Sequence, residues 1–171
     1  MNISSNVKTT PHKVHVMDNI KLTQLAIDTD VKPLLTGEKF ATQEQYYKAT
    51  FSPEFPPIQE FKPNQYFYES LTEDSVSVIG RLNAGGEDYQ IGFVLPREIK
   101  TGKYDIEQLV TGKVSSHVLA DSQILFGTNG QIDLIRAGKS ITATFNFEIN
   151  HNSTLYKIQN GKLSLLATGD L

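Results

Sequence analysis

Ile141-Thr142-Ala143-Thr144-Phe145-Asn146-Phe147-Glu148-Ile149 alternates apolar and polar residues without a break. Side chains on a strand point to opposite faces with a period of two, so one face is Ile, Ala, Phe, Phe, Ile and the other is Thr, Thr, Asn, Glu. The segment reads as a strand with one dry face and one wet face. Its partners are expected to be sequence neighbours joined by tight turns, which makes it a middle strand of a meander. Phe145 and Phe147 must then meet either a second sheet or an aromatic strap, and that alternative separates a packed interaction domain from a pocketed binder.

Working outward, Gln131 to Ile135 is expected to pair with this strand across Arg136-Ala137-Gly138-Lys139. Further upstream, Val76, Val78, Gly80 and Leu82 share a parity. Asn83-Ala84-Gly85-Gly86-Glu87-Asp88 then supplies turn chemistry, and Tyr89, Ile91, Phe93 and Leu95 share a parity until Pro96, which predicts an antiparallel hairpin. Val114 to Ala120 and Gln123 to Phe126 add two more strands. Downstream, Asn160-Gly161 lies between Leu155-Tyr156-Lys157-Ile158 and Leu163-Ser164-Leu165-Leu166 and predicts a hairpin with a type I′ turn. About seven or eight short strands at this spacing give a mainly β fold, an antiparallel sandwich or barrel, with an N-terminal arm and one or two short helices.

Residues 40–68 differ in composition. They hold Phe40, Tyr46, Tyr47, Phe51, Phe55, Phe61, Tyr66, Phe67 and Tyr68, 9 of the 16 aromatics (9 Phe plus 7 Tyr), and 4 of the 7 prolines. Proline cannot donate to a ladder, so this stretch is expected to be a connector strapped onto the core through its rings. Residues 1–12 read as a flexible polar arm, and 13–171 as a single β domain. Val14 and Val16 suggest a short edge strand. Asn19 is placed to cap a helix carrying Ile20, Leu22, Leu25 and Ala26, and Thr42-Gln43-Glu44-Gln45 has capping-box spacing ahead of Tyr46 to Ala49.

With 171 residues the chain is long enough for one domain burying roughly 70% of its unfolded surface. Hydrophobic content of 39%, charged content of 20% and a net charge of -3 describe a globular protein without the basic footprint that nucleic acid requires. The absence of cysteine excludes disulfides, thiolate metal sites and a cysteine nucleophile. No run approaches 18 apolar residues, and the first residues lack an apolar signal core, so no membrane span is expected and the cytoplasm is the default compartment. A processed secreted form would share this signature.

The residues that could carry chemistry do not assemble into a reaction. Ser115, His117 and Asp121 share strand parity, but four residues at about 3.3 Å each put Asp121 roughly 13 Å from His117, too far to orient an imidazole. His117 reads instead as a surface histidine on an edge strand. His12 and His15 share a face only in a helix, with Asp18 the nearest further ligand, so no metal site is assigned. Glu73-Asp74 and Glu87-Asp88 read as solvated turns. Gly127-Thr128-Asn129-Gly130 and Asn83-Ala84-Gly85-Gly86 lack the lysine and helix of a phosphate loop. Asn2-Ile3-Ser4 and Asn152-Ser153-Thr154 match the glycosylation pattern without a secretory signal to use it.

Leu95-Pro96, Gly102-Lys103-Tyr104, Gly130-Gln131-Ile132-Asp133-Leu134, Ile141 to Phe147 and Asn160-Gly161-Lys162-Leu163 occur in an order that resembles uncharacterised bacterial β-sandwich proteins, many of them lipoproteins. The resemblance spans about residues 75–166. Ala143 stands where that group usually has glycine, and the N-terminal residues do not read as a lipidation signal. The resemblance implies a β sandwich and a bacterial origin, and it supplies no catalytic residue.

These readings point to a non-enzymatic module that binds a protein partner or forms a homo-oligomer, through an edge strand or the aromatic connector. Within the connector, Tyr46, Tyr47, Phe55, Phe61, Tyr66 and Tyr68 are the candidate ligand or partner residues, because large rings with polar tips dominate binding surfaces. The alternatives are a barrel that encloses an apolar small molecule and a small hydrolase using His117. No catalytic residue, metal or cofactor is assigned.

Overall fold

The computed structural model describes residues 18–34 and 45–171. The arm at 1–12, the strand expected at Val14 and Val16, His12, His15, Phe40 and most of the capping box at 42–45 lie outside them. Among the described residues there is one helix, α1 (Asn19–Gln24), and eleven strands: β1 (Tyr46–Phe55), β2 (Ile58–Phe61), β3 (Gln65–Thr72), β4 (Ser75–Ala84), β5 (Glu87–Pro96), β6 (Gly102–Ile106), β7 (Ser115–Ala120), β8 (Gln123–Phe126), β9 (Thr128–Ala137), β10 (Ser140–His151) and β11 (Thr154–Leu166). They form two antiparallel sheets, one of six strands in the order β2-β1-β11-β10-β9-β6 and one of five in the order β3-β4-β5-β7-β8. The architecture is a sandwich and not a closed barrel.

The alternating segment Ile141 to Ile149 lies in β10, flanked by β9 and β11, and is a middle strand as its pattern requires. Its dry face meets the second sheet. The Phe93 ring of β5 stands edge-on to Phe145 at 4.8 Å and to Phe147 at 5.9 Å, and Tyr47 of β1 closes on Phe145 at 5.7 Å. Such edge-to-face pairs add about 0.5–1.5 kcal/mol each beyond the burial of their area. The hairpins expected for β4–β5 and β9–β10 form, with Val78 opposite Phe93 in a continuous β4–β5 register and Ala143 opposite Leu134 in a β9–β10 register that holds from Ser140 to Asn146 and shifts before Glu148.

Three expectations are corrected. Residues 46–68 are not a connector over the core: they build β1, β2 and the start of β3, and so belong to both sheets. The prolines sit where the ladders have gaps. Pro53 follows the last β1–β11 pair, Ser52 with Lys157, and falls between the β1–β2 pairs at Thr50 and Phe55. Pro56 and Pro57 make the β1–β2 turn. Tyr46 to Ala49, expected as helix, is likewise strand, because Tyr47 and Ala49 point inward with a period of two.

The Asn160-Gly161 hairpin is also absent, since β11 runs unbroken from Thr154 to Leu166. Asn160 does take a positive φ of 53°, but as part of a bulge: the register with β10 passes from Phe145–Gly161 to Phe147–Ile158. This bulge and a type I′ turn both place Asn160 at positive φ, a conformation asparagine tolerates, so the residue suits either. Gly161 adds a second reason, because a Cβ there would run into the Phe145 ring. The turns with two consecutive positive φ values are instead Gly85-Gly86, Asp121-Ser122 and Asn152-Ser153, which close β4–β5, β7–β8 and β10–β11.

Candidate functional site

The two sheets have outer faces of similar polarity and opposite exposure. On the five-stranded sheet, the outward side chains Ser77, Ile79, Arg81, Gln90, Val94, Ser115, His117 and Leu119 of β4, β5 and β7 are buried, while Asn83 and Asp88 near the β4–β5 turn reach solvent. Residues 18–34 roof them. Asp18 caps α1 by accepting from the Ile20 amide at 3.1 Å. After α1 the chain folds back, with Leu34 N–H donating to the Ala26 carbonyl at 2.8 Å and Asp28 Oδ1 accepting from the amides of Asp30 and Lys32. Leu22, Leu25 and Ile27 pack on Val94 and Leu119, and Ala26 packs on Phe67 and Ile79.

The roof also bonds two of the polar side chains beneath it through its own backbone. Ser77 Oγ donates to the Gln24 carbonyl at 2.6 Å, and Gln90 Nε2 donates to the Leu25 carbonyl at 2.8 Å. Gln90 Nε2 lies 2.7 Å from His117 Nε2, and Arg81 donates to Gln90 Oε1 at 3.3 Å while its guanidinium lies over the Phe67 ring. An amide nitrogen can only donate, so His117 Nε2 is the acceptor and the ring proton is on Nδ1. Burial without a charged partner lowers the His117 pKa to about 3. The imidazole is neutral across the ordinary pH range, and it lies against Gly92, where a Cβ would clash with the ring.

His117 is therefore not the exposed edge histidine its sequence suggests: β7 lies between β5 and β8, and the ring is fully buried. Asp121 pairs with another histidine, its Oδ2 lying 3.0 Å from His151 Nε2 where the β7–β8 and β10–β11 turns meet at one end of the sandwich. Asn152 Nδ2 approaches the same His151 nitrogen at 3.1 Å, and the ring rests 5.5 Å from Phe55. Neither neighbour is a nucleophile. No group of three or more His, Asp or Glu residues converges among the described residues. Nor is any helix among them long and apolar enough to cross a membrane.

Of the six aromatic candidates, Tyr47, Phe55, Phe61, Tyr66 and Tyr68 are buried in the core between the sheets, where their role is packing. Tyr46 alone is exposed, at 44%. The period of two decides this: Tyr46 precedes the inward Tyr47 on β1 and so points out from the six-stranded sheet.

Among the described residues that outer face is open. Tyr46 pairs with Ser164, which pairs with Thr142, which pairs with Ile135, so the four form one row across β1, β11, β10 and β9. Ile135 is 58% exposed, and Leu166, in the adjoining row, is 49% exposed. The next rows are Lys48–Lys162–Thr144–Asp133–Lys103 and, past the bulge, Ser52–Lys157–Glu148–Thr128. A shallow depression of about 350 Å³ lies between Tyr46 and Ile135, floored by Thr142 and Thr144 and edged by Lys162 and Asp133. Sequence alternation identifies every one of these positions as wet. What it does not give is the lateral register that gathers Tyr46, Ile135 and Leu166 at one end of the face.

Comparison with family models, with curated proteins and with solved structures returned no match.

Proposed function

We propose that this chain is a non-enzymatic interaction module that binds a protein partner through the outer face of its six-stranded sheet. The observation that carries the reading is the unequal treatment of the two outer faces. One is roofed by residues 18–34, whose backbone accepts from Ser77 and Gln90, while among the described residues the other is left bare with Tyr46, Ile135 and Leu166 exposed together. Clustered exposed apolar side chains with a polar surround, and a tyrosine among them, are the signature of a docking surface. A small-molecule pocket between the sheets is the weaker reading, because Tyr47, Phe93, Phe145 and Phe147 pack against one another there.

The test is site-specific photo-cross-linking of the full chain in its own host, with a benzophenone amino acid replacing Ile135 in one sample and Ile20 in another. Ile20 is 60% exposed on the roof and provides the control. A discrete protein adduct from position 135 that is absent from position 20 supports the reading. No adduct from 135, or the same adducts from both, contradicts it.

A further inference from the structure

We infer that the partner of this face is a second copy of the chain, stacked sheet on sheet about a twofold axis that runs parallel to the strands between β10 and β11. The inference rests on the interaction reading above and adds the identity of the occupant. A twofold axis in the plane of contact sends β11 over β10 of the partner and β1 over its β9. Each row is then read against its own reverse, as an isologous interface requires.

The rows are self-complementary under that operation. In the first row Tyr46 faces Ile135 of the partner subunit, and Ser164 faces the partner's Thr142. In the second row Lys48 faces the partner's Asp133, and Lys162 faces the partner's Thr144. Lys157 in the last row faces the partner's Glu148; within one chain these two side chains already stand 4.0 Å apart. In these three rows the β1–β11 half of the face carries Lys48, Lys157 and Lys162 and no acid, while the β10–β9 half carries Asp133 and Glu148 and no base. Across all six strands the division at β10 and β11 holds in net charge, with Glu54 and Glu60 as the acids beside Lys48, Lys62, Lys157 and Lys162 on one half, and Lys103 as the base beside Asp105, Asp133 and Glu148 on the other. A face evolved only for solvation has no need to segregate its charges, and segregation of this kind sets register in paired surfaces.

At the rims, a strictly aligned stack would oppose Lys103 to Lys62 and Asp105 to Glu60. Stacked sheets are rotated by about 30°, which displaces strands roughly 12 Å from the axis by about one row of side chains and breaks these like-charge oppositions; β1 and β9, roughly 7 Å from the axis, shift by about 4 Å, a distance the long Lys48 side chain spans to reach the partner's Asp133. The area is also adequate. Four strands about 4.8 Å apart, over the length from Ser140 to Glu148 at about 3.4 Å per residue, give roughly 600 Å² of flat face per copy, and side-chain relief raises this toward the ~800 Å² of a standard interface.

The experiment is sedimentation equilibrium of the purified full chain from micromolar to submillimolar concentration, with Lys48→Glu, Asp133→Lys and the double variant Lys48→Glu/Asp133→Lys. Both positions are exposed, and thermal unfolding of each variant checks that the fold is kept. The inference predicts a monomer–dimer equilibrium in the wild type, a weakening of about tenfold or more in each single variant, and restoration to within about threefold in the double variant. A wild type that stays monomeric overturns it. So does a dimer that the single variants leave unchanged, or one that the double variant fails to restore. If the wild type is monomeric while the probe at position 135 still captures a different protein, the second-copy inference fails and the interaction reading stands. If neither is seen, both fail.

Discussion

On the outer face of the five-stranded sheet, Ser77, Gln90 and His117 are buried beneath residues 18–34, whereas on the outer face of the six-stranded sheet Asp133, Thr144, Asn146 and Lys162 stand in the open. Both sets are polar, and both occupy the wet parity of their strands. The difference is that a segment with its own apolar side chains, Leu22, Leu25 and Ile27, is available to one face, and its backbone carbonyls can accept from Ser77 and Gln90. Burying a polar side chain is tolerable when its hydrogen bonds are replaced, and the roof replaces those of Ser77 and Gln90. The other face keeps its solvent contact, which the proposed docking surface requires.

The comparison is broken most severely by placing a charge under the roof. Leu25→Asp is expected to destabilise the protein by about 4 kcal/mol or more in chemical denaturation, because an unpaired carboxylate would sit in a dry site. The next largest effect is set by pH. With a folded-state pKa of about 3 against about 6.5 when unfolded, His117 binds its proton only in the unfolded chain between those values, so stability falls as pH drops through this window. The slope is ~1.4 kcal/mol per pH unit, which amounts to about 3 kcal/mol by pH 4. Denaturation midpoints of the wild type and His117→Gln, compared between pH 7 and 4, should diverge by that order, with the variant the flatter of the two.

Smaller effects sharpen the contrast. Gly92→Ala pushes a methyl into the His117 ring and is expected to reduce stability by about 1–3 kcal/mol, measured by urea unfolding. Ser77→Ala removes one hydrogen bond to the roof, about 1 kcal/mol, and should raise amide exchange in residues 19–27 before it affects β10. Ile135→Asp, on the open face, is expected to shift stability by no more than about 0.5 kcal/mol while abolishing the self-association assigned to that face.

The sandwich is legible in the sequence wherever one parity is strictly apolar, as in Ile141 to Ile149 and in the pair Val76 to Leu82 and Tyr89 to Leu95. It is misread where one local requirement serves two structures, as with the positive φ of Asn160, or where prolines fall in gaps of a ladder rather than outside it. The roofed face is hidden for a different reason. A period of two separates wet from dry parity but cannot distinguish water from a backbone carbonyl as the hydrogen-bond partner. The available signal lay elsewhere, in the apolar Leu22, Leu25 and Ile27 of a segment too short to bury them by itself. Of the proposed aromatic site only Tyr46 reaches the surface, and its neighbours Ile135 and Leu166 come from strands whose lateral order no local pattern specifies.

The central claim, that the six-stranded sheet presents the working surface, is tested most directly by side-chain methyl NMR with a soluble paramagnetic agent, recorded as protein concentration is raised. The account predicts that the methyls of Ile135, Thr142 and Leu166 become progressively shielded while those of Ile20 and Val110, exposed elsewhere, keep their accessibility. Shielding that appears first at Ile20 or Val110, or no change at Ile135 across the range, would contradict it.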